Sequence, residues 1–306
     1  MMPSPLAYIV ILNWNGWKDT VECIGSCFKL TYHNFRILVV DNGSSDGSES
    51  ILRARFPDIE LLQTNRNLGF AGGNNVGIRY SMDHGADYVW LLNNDTVVDP
   101  FALTALVEAA GQDHRIGMVG SKIFTFDEPR RLWFAGGFWK YGKLLLQVRG
   151  LNEEDTGKFD RTSEVDFLTG CSLLIRATTV RDIGLLDEDY FLYWEDTDWS
   201  ARALEHNWKV LYAPRSTVWH KVSASFNPVT DEQAYYYLRS KLLFYALHAP
   251  AVLPIALCLS FMGALRHILQ GRTNFARGYL SGMIDFMLRR FGRRTTSRDK
   301  HGHGAH

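Results

Sequence analysis

Sulfur chemistry is scarce in this chain. Its four cysteines, Cys23, Cys27, Cys171 and Cys258, include no CxxC pair. That excludes a disulfide-stapled scaffold and a CxxC zinc or redox motif. Cys23 and Cys27 stand four apart, on one helix face, and read as small apolar packing residues suited to a reducing compartment. Glycine-rich phosphate cradles are missing too. The loop Asn13-Trp14-Asn15-Gly16 after the first apolar run has one glycine, so the GxGxxG of a dinucleotide fold is absent. No GxxxxGK[ST] occurs, which removes the P-loop reading. Tyr8–Leu12 is short, strand-like and not preceded by basic residues, so no signal peptide is expected at the N-terminus. There is no internal repeat and no net charge.

The zero balance hides an asymmetry. Of 33 basic and 33 acidic residues, nine basic and two acidic ones lie from Arg266 onward, leaving 24 basic and 31 acidic before it. A basic tail on an acidic body favours an anionic membrane surface over nucleic acid, whose phosphates the body would repel. With 46% apolar and 22% charged residues, 306 residues suffice for one large α/β domain or two smaller ones.

What is present is alternation. Strands are expected at Ala7–Trp14, Phe35–Val40, Ile59–Gln63 and Tyr88–Leu92. Helices are expected at Trp17–Leu30, Asp46–Phe56, Gly73–His84 and Ala102–Gln112. This order predicts right-handed βαβ crossovers and a mostly parallel, Rossmann-like sheet with helices on both faces. The strands lack in/out alternation, as expected for a sheet covered on both sides. Beyond about residue 115 the pattern loosens. Strands are expected at Met118–Phe124, Val165–Ile175 and Lys209–Tyr212, and a helix at Thr197–His206. The glycine-rich, charged stretch from Asp127 to Thr162 reads as excursions that include a hairpin around Gly142.

In an open parallel sheet, ligands bind beyond the carboxyl ends of the strands. Here those ends carry Asn13 and Asn15, then Asp41 and Asn42, then a segment near Asn65, then Asn93-Asn94-Asp95. Caps and turns explain any one of them; four together point to a ligand. A strand-end carboxylate such as Asp41 has the geometry to accept hydrogen bonds from a ribose or base. Asp95 has no basic neighbour in sequence and suits a hard divalent cation shared with substrate phosphate.

Four segments carry a resemblance. VVDNGSSDGS (Val39–Ser48), NLGFAGGNNVG (Asn67–Gly77), WLLNNDTVVDP (Trp90–Pro100) and FLYWEDTDWSARALEHNWKVLYAP (Phe191–Pro214) resemble the family 2 glycosyltransferases. The similarity is strongest to the rhamnosyltransferase-like branch that builds bacterial surface polysaccharides. It spans about residues 6–225 and implies a GT-A fold with inverting transfer from a nucleotide-diphosphate sugar. dTDP-rhamnose is the favoured donor and a UDP-sugar the alternative; the implied acceptor is a lipid-linked saccharide.

By motif, Asp41 resembles the nucleoside-binding acid, with Asn13, Asn15, Asn42, Asn67 and Asn94 around the donor. Asp95 resembles the metal-binding end of a DxD motif, here Asn-Asn-Asp, for Mn2+ or Mg2+. His220 resembles a histidine that completes the metal site in part of the family; a structural histidine is the other reading. Asp196, beside Glu195, resembles the general base; an N-cap of the following helix is the other reading. Gly69, Phe70, Gly72 and Asn74 would let the backbone approach the donor and open a helix toward the pyrophosphate. Gly170 would line the acceptor side. Trp194 reads as a sugar platform or as core.

Three functional classes stand at this point: a glycosyltransferase, a non-catalytic nucleotide- or carbohydrate-binding module, and a nucleotidyltransferase. The second has no need of both Asp95 and Asp196. The third should carry a basic, glycine-rich loop after its first strand.

The expected domains are 1–227 (catalytic, with a nucleotide-sugar half to about 115), 228–298 (helical, membrane-associated) and 299–306 (disordered). Ala251–Leu265 holds fifteen uncharged residues broken by Pro254. As a helix it spans roughly 22 Å, short of the ~30 Å hydrocarbon core. Shallow insertion or burial against the catalytic domain fits better than a single spanning helix. The stripe Phe275, Tyr279, Met283, Ile284, Met287 and Phe291, with Arg277, Arg289 and Arg290, has the pattern of an interfacial helix. A helical subdomain or dimer interface is the alternative. The implied location is the cytoplasmic face of the plasma membrane, peripheral or monotopic.

Overall fold

A computed structural model of the chain describes residues 4–140, 142–143, 145–221 and 230–294. The strands are β1 (Ala7–Asn13), β2 (Phe35–Asp41), β3 (Glu60–Gln63), β4 (Tyr88–Asn93), β5 (Thr96–Val98), β6 (Ile116–Thr125), β7 (Leu132–Phe134), β8 (Gly137–Lys140), β9 (Leu145–Val148), β10 (Ser163–Glu164), β11 (Ser172–Arg176) and β12 (Lys209–His220). The helices are α1 (Trp17–Cys27), α2 (Ser48–Arg55), α3 (Gly69–Asp83), α4 (Ala102–Gly111), α5 (Ala177–Ile183), α6 (Glu195–Glu205), α7 (Asp231–His248), α8 (Leu253–Leu269) and α9 (Thr273–Met287).

The main sheet runs β10-β12-β6-β11-β4-β1-β2-β3, with β5 on β12 and β7 on β6. The β4-β1-β2-β3 portion is wholly parallel. β11 lies antiparallel between β4 and β6, so the whole is a mixed sheet. β1 and β4 are apolar on both faces because helices cover both, and Ala7 to Ile11 and Val89 to Leu92 are buried. Chain order reverses at β1, which has β2 on one side and β4 on the other; such a switch point is where α/β sheets hold ligands.

Four differences from expectation bear on the site. α3 begins at Gly69, four residues early, so the glycine run lies inside the helix. A Cβ on Gly73 would lie 2.5 Å from Leu12 Cδ1, and one on Gly77 2.4 Å from Val10 Cγ1. Helical glycine costs about 1 kcal/mol relative to alanine, and here it permits α3 to lie directly on β1. Of the expected strand Val165–Ile175 only the part from Ser172 is strand, after a turn at 169–171 where Ser172 N donates to Thr169 O; the short β10 lies just before the expected range. Val165, Phe167 and Leu168 are buried as loop, which imitates a strand in sequence. β12 extends to His220, eight residues beyond the expected end. α6 begins at Glu195, two residues early. The hairpin around Gly142 is present as β8-β9.

The C-terminal helices form a layer on the catalytic body. α7 is buried through Tyr235, Tyr236, Leu238, Leu242, Phe244 and Tyr245. The stripe expected to lie on a membrane is mostly turned inward. Phe275 packs on His267 and Tyr279, and Met283 is buried, while Ile284 and Met287 stay exposed. The apolar face left open lies on α8: Ile255, Leu259, Phe261, Met262, Leu265 and Leu269. No helix among the described residues is long and apolar enough to cross a membrane. The expected boundary at 227 and the tail from 299 lie outside the described residues.

Candidate active site

Strand register levels the polar ends. Asn13 pairs with Asp41, Leu12 with Asn93, and Asp41 with Gln63. Four strand ends therefore open on one edge.

At the β1/β2 end, Asp41 is fully buried. Its Oδ1 accepts from Ser44 N at 2.8 Å, and its Oδ2 accepts from Asn13 Nδ2 at 3.3 Å. Asn13 also donates to Ser44 Oγ and accepts from Thr20. Asn15, in the left-handed region at φ 52°, accepts from Ser45 N through its side chain. Ser44 and Thr20 were not singled out in the sequence; the Asp-x-x-Ser spacing of a local turn was the signal for Ser44, and Thr20, inside α1, had none.

Several residues expected around the donor also brace the chain internally. Asn42 accepts from Leu68 N and donates to Gly69 O and Asn67 Oδ1. Asn67 accepts from Gly69 N. Asn74 donates to Phe70 O, and Asn94 to Thr20 Oγ1. Gly72 is close-packed on Leu68. Phe70 N donates to Phe191 O at 2.7 Å, so two of the first amides of α3 are already engaged. Trp194 packs against Trp139, Phe244, Tyr237 and Tyr245 and is 6% exposed. The core reading holds for it, and its indole offers no open face to a sugar.

At the β4 end, Asp95 and His220 meet. Antiparallel pairing of β5 with β12 sets His220 opposite Thr96, and Lys221 N donates to Asp95 O. Asp95 Oδ1 lies 3.1 Å from His220 Nε2, and both side chains are buried. Neither imidazole nitrogen reaches hydrogen-bond geometry with a partner. Burial works against a charge on His220, but the adjoining Cys171 and Asp95 outweigh it and push the imidazole up. Burial also pushes the Cys171 thiol up. The sulfur is therefore neutral near pH 7, and Asp95 is the partner that favours the proton. One carboxylate and one imidazole with unsatisfied nitrogens fit a magnesium or manganese ion that takes its other ligands from phosphate and water. Among the described residues, no group of three or more His, Cys, Asp or Glu is placed to hold a metal unaided.

Asp196 lies across the same edge. α6 starts from Trp194, whose backbone is left-handed at φ 73°, and no side chain caps the helix. Asp196 is thus its second residue rather than its N-cap. Asp196 Oδ2 accepts from Gly170 N at 2.8 Å, and Oδ1 accepts from Thr197 N at 2.7 Å. Burial raises its pKa, and those N–H donors pull the other way. Glu195 is 4% exposed, with Oε2 unpartnered. Burial first, and the charge of Asp196 second, push its pKa well up.

The turn at 169–171 joins the two halves. Gly170 N holds Asp196, Cys171 O accepts from Asn93 N at 3.0 Å, and the Cys171 thiol adjoins His220. Gly170, expected on the acceptor side, thus supports the Asp196 carboxylate. A Cβ there would meet Phe70 Cζ at 2.8 Å. The role of Cys171 in this junction had no signal beyond its place in that turn.

Known proteins resemble this chain in sequence and in fold. The family model described as Glycosyl transferase family 2 matches residues 8–184. The chain is 29% identical over 234 residues to an N-acetylglucosaminyl-diphospho-decaprenol L-rhamnosyltransferase of Mycobacterium tuberculosis, covering 69% of this chain and 75% of that one. It is 24% identical over 221 residues to the dTDP-rhamnosyl transferase RfbF of Shigella flexneri, covering 70% and 69%. A mannosyltransferase from Pyrobaculum calidifontis, solved with GDP-Man and Mn2+, superposes with a TM-score of 0.59 at 14% identity, covering 94% of this chain and 88% of that one. At that identity the likeness shows a shared GT-A-like fold.

Proposed function

This chain belongs to glycosyl transferase family 2, and from that premise we propose that it moves rhamnose from dTDP-rhamnose to a hydroxyl of a lipid-linked saccharide, with inversion. The two rhamnosyltransferase relatives support the sugar. The polyprenyl-diphosphate substrate named in one of them supports the acceptor class. A UDP-sugar is the alternative donor.

The observation that carries the reading is the junction at 169–171, which touches Asp196 on one side and the Asp95–His220 neighbourhood on the other. Asp41, steadied by Asn13 and Ser44, would face the nucleoside. Asp95 and His220 would hold Mn2+ or Mg2+, which supplies neutralising charge for the donor diphosphate. The half-buried Asp196 carboxylate takes the proton from the acceptor hydroxyl as that oxygen bonds to the anomeric carbon and the bond to the diphosphate breaks. One base and one displacement give inversion. The Gly170 and Thr197 N–H groups orient the carboxylate.

The test is Asp196→Asn. An asparagine oxygen still accepts from Gly170 N, so dTDP binding and folding are retained. Turnover falls by about a hundred- to ten-thousand-fold, the range a general base contributes. Near-normal turnover in the folded variant would sink the assignment, and a product that keeps the donor's anomeric configuration would exclude single displacement.

An anionic leaflet is proposed as the docking surface. Along with the open apolar face of α8, the chain from α8 onward exposes Arg266, Arg272, Arg277, Arg289 and Arg290, and apolar contact with cationic attraction suits an interface. Full-length protein should sediment with anionic vesicles at low salt and less as salt rises. Leu259→Ser with Met262→Ser should abolish that binding while dTDP binding persists. Equal sedimentation of wild type with neutral and anionic vesicles at every salt concentration removes the electrostatic part.

A further inference from the structure

Arg239 is a fully buried arginine whose guanidinium donates to carbonyls and a phenol rather than to a carboxylate. Nη2 donates to Asp189 O at 3.1 Å and to Tyr190 O at 3.0 Å. Nη1 donates to Gly292 O at 2.7 Å and to Tyr235 Oη at 3.3 Å. Tyr235 in turn donates to Asp285 in α9. The next residue, Ser240, has its Oγ within hydrogen-bonding reach of Tyr190 O at 3.2 Å and of Leu192 O at 3.0 Å. Burying a cation is costly unless its donors are used. Here Nη2 spends its bonds on the backbone stretch at Asp189 and Tyr190, Nη1 ties in the chain at Gly292, and Nε is left without a partner.

That stretch is strained. Phe191, Tyr193 and Trp194 have φ of 62°, 66° and 73°, all in the left-handed region. Each non-glycine residue there costs roughly 1–2 kcal/mol and persists only when its surroundings hold it. α6 departs from this turn, and Asp196 is its second residue. The other side of the turn faces the donor helix. Phe191 O accepts from Phe70 N, the Phe191 ring fills the space left by Gly69, and Tyr236 stacks on that ring at 4.9 Å. The turn is therefore clamped between α3 and α7.

We propose that Arg239 and Ser240 are positioning residues for Asp196: their grip on the carbonyls of Asp189, Tyr190 and Leu192 fixes the left-handed turn that aims the carboxylate. This rests on the reading of Asp196 as the base. It makes α7, together with the chain end near Gly292, part of the active-site framework, although neither contributes a group to the chemistry.

The test uses the full-length chain carrying Arg239→Met or, as the milder change, Ser240→Ala, with Asp196→Asn as control. Amide hydrogen exchange at 190–196 should quicken by about tenfold or more in Arg239→Met, while amides of β1 and β4 stay protected. With the donor that wild type accepts from a panel, kcat should fall by about ten- to a hundredfold, the scale of a displaced catalytic group. The affinity for dTDP and manganese should stay within about twofold of wild type. Ser240→Ala should show the same split with smaller size, and it carries the test if Arg239→Met does not fold. Unchanged exchange at 190–196 overturns the proposal, as does a loss shared equally by kcat and dTDP binding. Wild-type turnover in Asp196→Asn overturns the base reading, and the exchange rates still decide the grip.

Discussion

Among the described residues two histidine–aspartate pairs have buried side chains, and they are opposites in hydrogen bonding. His248 Nε2 lies 2.7 Å from Asp198 Oδ1, and its Nδ1 lies 2.9 Å from Glu205. Asp198 also accepts from Tyr190 Oη and from Arg202 Nε. Every polar atom of that pair has a partner. His220 and Asp95 approach at 3.1 Å, but the imidazole nitrogens are left without aligned partners. Buried polar groups in folded proteins are normally satisfied, so a pair left short marks a place built for something else. The same residue types thus serve as a structural rivet between α6 and α7 and as the proposed cation site at the sheet edge.

The strongest way to break the contrast is Asp198→Ala. It leaves His248 with Glu205 alone and Arg202 with only the Ile183 and Leu185 carbonyls, and removing one partner of a buried pair costs about 3–5 kcal/mol. Thermal or urea unfolding should show that loss, while the manganese dependence of dTDP affinity stays as in wild type. A shifted metal response with unchanged stability would reverse the two assignments.

Asp95→Ala should do the converse. Transfer should drop by about a hundredfold or more, since metal stabilisation of a departing group is worth several kcal/mol. Calorimetry should find dTDP affinity alike with and without manganese, and unfolding should be close to wild type. His220→Ala should give a weaker form of the same defect. Manganese-independent dTDP binding in wild type would return both residues to structural roles.

A finer distinction is pH. His248 faces Asp198 and Glu205 from α6, Lys143 from the hairpin and the Phe244 ring on its own helix. Burial opposes its charge, but the two carboxylates prevail and raise its pKa. A histidine raised on folding stabilises fully below its unfolded value, and that stability is lost as pH rises through the folded value. Full-length protein should therefore lose about 1–2 kcal/mol on going from pH 6 to a pH above the raised value, the scale of a charged hydrogen bond. His248→Gln should flatten that slope; an equal slope in the variant places the titration elsewhere.

The smallest effect is expected from Glu195→Gln. Burial pushes this carboxyl well up, toward the neutral acid that glutamine imitates. Turnover should change by less than about threefold. A loss as deep as that of Asp196→Asn would move the base to Glu195.

The sequence carried the parallel half of the fold well. β1, β2 and β4 are runs of Ile, Leu and Val whose burial on both faces needs no knowledge of their neighbours. The second half was harder to read, because Val165, Phe167 and Leu168 are buried as loop and hydrophobicity does not separate loop from strand. Asp41, Asp95 and Asp196 were legible as acids at element ends. The bracing bonds of Asn42, Asn67 and Asn74 gave no separate signal, since an amide bracing a backbone and one facing a nucleotide look alike in sequence. Trp194 was open to either reading until α7 was folded over it. Arg239 gave no signal, because an arginine in an aromatic helix reads as a snorkelling surface residue.

The three-residue strand β5 carries a further consequence. By pairing with the end of β12 it fixes Asp95 and His220 in register across a long intervening chain. Insertions at 126–162 can therefore grow, shrink or be exchanged without altering the spacing of that pair. A single deletion inside Thr217–His220 would turn the imidazole to the opposite face of the sheet. The irregular register between Ala213 and Thr217 is where such a slip can be absorbed. In evolutionary terms, that segment is an interchangeable attachment, while four residues of β12 are the fixed fitting to which any replacement must conform.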